Sequence, residues 1–137
     1  MSNVTGKYVL ECLNSDTQLI EFSLFSPFAG EISHLSFNGV IEVEGENFIL
    51  EVRIIEGETL SLKSANAEQL SLMHFDLQTG EGNIRIERAA ESGMLIEKVK
   101  LTNYEYNNTH FVIQYSRIFR GVEEMLYKTE VIFNVED

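Results

Sequence analysis

Apolar and polar residues alternate in short runs along most of this chain. Ile41 and Val43 fall on one side of an extended segment, with Glu42 and Glu44 on the other. Phe48, Leu50, Val52 and Ile54 repeat the pattern opposite Glu51 and Arg53. Successive side chains of a strand point to opposite faces, so each run predicts a strand with one buried face. The same reading covers 8–13, 17–25, 31–37, 40–44, 48–54, 60–62, 72–77, 84–87, 95–101, 111–119 and 125–135. In the last of these Met125, Tyr127, Thr129, Val131, Phe133 and Val135 share a face.

Between the runs lie turn signals. Gly-Glu dipeptides begin at Gly30, Gly45, Gly57 and Gly80, and Asn14-Ser15-Asp16 and Asn38-Gly39 have turn composition. Pro27, the only proline, cannot donate to a ladder, so 26–30 reads as a break. Residues 64–70 and 89–93 lose the alternation, and each has room for a helical turn. No stretch of 11 or more residues carries a helical period. The expectation is an all-β fold: one domain over 1–137, an antiparallel β-sandwich or barrel of about 9–10 short strands with at most one or two short helical turns.

Charge changes the picture next. The 137 residues carry a formal net charge of −12, and residues 1–84 hold thirteen acidic side chains against three basic ones. Residues 85–137 are close to neutral, with nine acidic and seven basic. An acidic surface repels phosphate backbones and anionic lipid, so direct nucleic-acid binding and membrane binding are not expected. A basic protein partner is favoured, through Glu42, Glu44, Glu46, Glu51 and Glu58. Cys12 is the single cysteine and no apolar run reaches membrane length, which sets the expected location as cytoplasmic.

Residues with catalytic or ligand-type spacing are few. His34, His74 and His110 lack ligand-type neighbours at metal spacing, and no nucleophile elbow or phosphate-binding glycine loop is present. His74 and Asp76 share a face of their strand, and Cys12 reads as a small buried apolar residue. Neither an enzyme nor a cofactor is expected. Tyr104, Tyr106 and Asn107, in the run Asn-Tyr-Glu-Tyr-Asn-Asn-Thr-His, have the composition of a recognition loop. Arg117, Arg120 and Lys128 form the densest basic group and are a candidate anion patch.

His34-Leu35-Ser36-Phe37-Asn38-Gly39 resembles the acidic-x-Ser-x-x-Gly signature of PilZ domains, small β-barrels many of which bind cyclic di-GMP. Ser36 and Gly39 match that signature, His34 stands where the family has Asp or Asn, and the resemblance extends over residues 10–80. No Arg precedes Arg53, so the family's upstream arginine motif has no counterpart and a dianionic dinucleotide lacks its guanidinium partners. Three functions remain in view. The leading one is a non-enzymatic acidic interaction module, of immunity or inhibitor type. The others are a homo-oligomeric subunit of a β tube or ring, and a small-ligand barrel.

Overall fold

The computed structural model describes residues 2–90, 93–119 and 123–135. Ten strands follow one another: β1 (Ser2–Asn14), β2 (Ile20–Ser33), β3 (Ser36–Val43), β4 (Glu46–Ile55), β5 (Thr59–Ala65), β6 (Gln69–Asp76), β7 (Glu81–Arg88), β8 (Met94–Tyr106), β9 (His110–Phe119) and β10 (Glu123–Val135). Each pairs antiparallel with its neighbours in sequence, and β1 pairs with β10 from Val4↔Val135 to Asn14↔Met125, which closes the sheet into a barrel. Closure satisfies the backbone edges that an open sheet leaves exposed.

Alternation decides what lies inside. Phe48, Leu50, Val52 and Ile54 of β4 are buried, and the residues between them face solvent. Val131 and Phe133 of β10 join them, as do Leu60, Phe75, Phe111 and Ile113. One end of the barrel, bounded by the β2–β3, β4–β5, β6–β7 and β8–β9 turns, is filled by rings. Phe37 lies at their centre, its ring centroid 5.8 Å from Phe28, 5.2 Å from Phe111, 5.7 Å from Phe133 and 5.9 Å from Tyr106. Edge-on and stacked aromatic contacts at these separations add to the burial each ring contributes.

Turn chemistry holds at most of the expected places. Asn14 Oδ1 accepts from the Asp16 and Thr17 amides, and Gly45, Gly57 and Gly80 take the positive φ of 83°, 74° and 80° that a side chain resists.

Three expectations are corrected. Pro27 does not break β2: it pairs with Lys7 inside a continuous 14-residue strand. The β2–β3 ladder ends at Ala29↔Val40, and beyond it the Ser26 hydroxyl accepts the Glu42 amide, so the missing proline donor falls where that ladder has already stopped. Asn38-Gly39 is not a turn but the middle of β3, opposite Glu31 and Gly30, which also places Gly30-Glu31 in a strand. A Cβ on Gly39 would come within 2.5 Å of the Phe28 ring, so glycine there serves a close approach. The turn itself is at His34 and Leu35. Residues 64–70 form no helical turn either: β5 runs to Ala65 and β6 starts at Gln69, with the Asn66 side chain capping the turn between them. The 89–93 segment lies partly outside the described residues.

Candidate functional site

Ten strands enclose a wider interior than the eight that side chains can just fill. Rings fill one end of this barrel. Towards the other end the inward positions carry smaller or more flexible groups, among them Leu10, Leu24, Ser64, Ser71, Met73 and Thr129, and a cavity of about 470 Å³ remains. Every strand except β8 contributes to its wall. Gln69 and Arg88, paired at the start of β6 and the end of β7, line its outer part together with Glu44 of the β3–β4 turn. Leu10, Ile41, Phe48, Leu62 and Ile84 supply apolar surface.

Two tyrosines line the floor, and a third backs one of them. Tyr8 and Tyr115 line the cavity at only 7% and 6% exposure, and the Tyr127 ring stacks on Tyr115 with centroids 5.1 Å apart and planes 5° from parallel. Burial pushes the Tyr8 phenol up to about 12. Tyr115 is raised chiefly by burial and further by the neighbouring Tyr8 and Tyr127, and Tyr127 is raised by burial and by Cys12 opposite it. All three therefore remain neutral hydroxyls at ordinary pH.

Beyond the tyrosines, Arg117 of β9 forms an ion pair through Nε with Glu97 of β8, both side chains mostly buried. The guanidinium holds the Glu97 carboxyl below its usual range, and the carboxylate raises Arg117 in turn.

The sequence-predicted residues are scattered over this architecture. Glu42, Glu44 and Glu46 gather around the β3–β4 turn and are exposed. Glu51 is on the outer wall opposite Lys63, and Glu58 sits at the other end of the barrel. Tyr104 is partly exposed, whereas Tyr106 turns inward: its hydroxyl donates to the Ser33 and Ser36 carbonyls, both at 3.0 Å, and its ring packs on Phe37. Tyr106 therefore seals the aromatic end, and the expectation of a recognition tyrosine is corrected there. Asn107 closes its own turn by accepting from the Thr109 amide.

The anion patch is also corrected. Arg117 is on the lumenal side, and Lys128 lies at the opposite parity between Tyr127 and Thr129, facing outward across from Glu11. Arg120 lies outside the described residues. Of the PilZ-like residues, Ser36 Oγ bonds Ser33 Oγ at 2.6 Å and Gly39 accommodates Phe28, so both act in the fold. His74 is exposed and bonds Ser61, and His110 pairs with Glu130 at 2.7 Å. Among the described residues no group of three or more His, Cys, Asp or Glu side chains is arranged to hold a metal ion. The lumenal residues Tyr8, Ser71, Arg88 and Tyr115 escaped sequence reasoning as a set. Their common sign was inward parity on four different strands, which only closure brings together.

Fold and cavity together define a class: a closed antiparallel up-and-down barrel, solid at one end and hollow towards the other. No family model matches the chain, and no curated protein matches it by sequence. Among solved structures it is similar in fold to the ywiB protein from Bacillus subtilis, with a TM-score of 0.58 at 12% identity, over 96% of this chain and 92% of that one.

Proposed function

We propose that this protein is a non-enzymatic binding barrel for a small organic molecule held in the lumen. One observation carries the reading: the interior holds a cavity of about 470 Å³ in whose lining apolar side chains alternate with hydroxyl, amide and charged groups. Small-molecule sites are mostly concave, largely apolar and roughly 300–1,000 Å³ in volume. The acidic-module reading has weaker support, because Glu58 and the Glu42–Glu46 group lie at opposite ends and Glu51 faces a lysine. A ring subunit built by edge pairing has less still, since each strand already pairs on both sides. Electrostatics does not conflict with the proposal: Glu42, Glu46, Glu51 and Glu58 lie outside the cavity, and Glu44 shares its mouth with Arg88.

A thermal-shift screen with a panel of small metabolites tests it. A ligand at 100 times its Kd adds about 2.7 kcal/mol of stability, enough to raise Tm by several degrees. Stabilisation by a restricted chemical class is the expected result. A flat response to every compound contradicts the proposal.

A further inference from the structure

Three hydroxyls of the lumen are not arranged to satisfy one another. Tyr8, Tyr115 and Thr129 are each more than nine-tenths buried, at 7%, 6% and 2% exposure, and each lines the cavity. Among the described residues no side-chain hydrogen bond engages these three hydroxyls, in contrast to Tyr106, whose hydroxyl bonds two carbonyls, and none of the three is sealed off in the wall. A polar group that a protein leaves open to an internal cavity is available to whatever occupies that cavity, and a few such groups commonly fix a ligand's orientation. Here three such groups come from three adjacent or near strands, β1, β9 and β10, and look into one cavity.

Their chemistry narrows what they can meet. Each phenol stays protonated, so each hydroxyl has a proton to give, and stacking of Tyr127 on Tyr115 fixes the direction of one of them. Across the lumen Phe48, Leu62 and Met73 offer dispersion contacts, and Ser64 and Ser71 add small hydroxyls between them. We propose that the lumen selects a compact molecule with an apolar body and a carbonyl-type acceptor oxygen, a ketone, amide or carboxylate, which the Tyr8, Tyr115 and Thr129 hydroxyls receive. This rests on the ligand-binding reading above and specifies the group that is recognised.

Two fluorescent probes separate this inference from the reading beneath it. Prodan has a naphthalene body and a ketone, and its emission moves to the red when the ketone accepts hydrogen bonds. N-Phenyl-1-naphthylamine has a comparable body and no oxygen. Both are titrated into the full-length protein and into a Tyr8→Phe/Tyr115→Phe variant, which keeps the rings and removes the hydroxyls. The expected result is a tenfold or greater loss of prodan affinity in the variant, with a blue shift of bound emission, while N-phenyl-1-naphthylamine binds both proteins within about twofold. The unliganded variant melts at or above the parent temperature, because hydroxyls without a protein partner add nothing to the fold. Thr129→Val supplies the same comparison if the double variant does not fold. Equal prodan affinity and emission in both proteins overturns the inference and leaves the ligand barrel standing. A fall in Tm of several degrees in the variant overturns it by assigning the hydroxyls to the fold. Failure of both probes to bind the parent protein removes the underlying reading and this one with it.

Discussion

Tyr106 shows how much one side chain decides at the closed end. Its hydroxyl holds the Ser33 and Ser36 carbonyls on either side of the β2–β3 turn, and its ring covers Phe37. Tyr106→Phe keeps the ring and deletes both bonds, so it is expected to cost about 1–2 kcal/mol, read as a lower urea midpoint with unchanged slope. Lumenal Tyr→Phe changes carry no such cost, and that contrast separates a structural tyrosine from a ligand-facing one. In the sequence the two kinds look alike. Tyr104 and Tyr106 drew attention because they sit beside Asn107 and Asn108, whereas Tyr8 and Tyr115 sit in ordinary apolar runs. Composition reports neighbours along the chain, and hydroxyl partners are set across the barrel.

At the scale of strands, period two was legible almost throughout, because one face of each strand is buried against a single core. The buried set of β4 and the inward face of β10, Thr129 included, are as the alternation indicates. Errors came where a local signal served a different purpose. Asn38-Gly39 has turn composition, yet glycine is needed at 39 because the Phe28 ring lies against it. Gly39→Ala is therefore expected to destabilise by about 1–3 kcal/mol through forced displacement of that ring and of the Ala29 carbonyl beside it, measured by chemical denaturation. Combined with Phe28→Leu it should cost less than the sum of the two single changes, since they share one contact. Pro27 misled for a related reason. Its missing donor matters only where a ladder needs it, and the partner of β2 on that side stops at Val40.

At the scale of the molecule, closure was not legible, because it depends on β1 meeting β10 across the whole chain. Within the wall, the β8–β9 ladder, in which Val99 pairs with Arg117, brings Glu97 and Arg117 together. The folded-state pKa of Glu97 is lowered, so its contribution to stability is present above the unfolded value near 4.3 and is lost as pH falls through the folded value. Glu97→Gln removes that dependence. Unfolding free energies from urea titrations should differ by about 1 kcal/mol between the two proteins at pH 7, and the gap should narrow below about pH 4.

The hollow lumen is the central claim, and filling it is the most direct test. Ser71 faces the cavity from β6, and Ser71→Phe places a ring in that space without touching the outer wall. Titration of N-phenyl-1-naphthylamine into both proteins, with Tm measured in parallel, reads occupancy and folding separately. The account predicts that the variant folds with an equal or higher Tm and loses at least tenfold in probe affinity. A variant that folds normally and binds the probe as well as the parent would place binding outside the barrel and contradict the account.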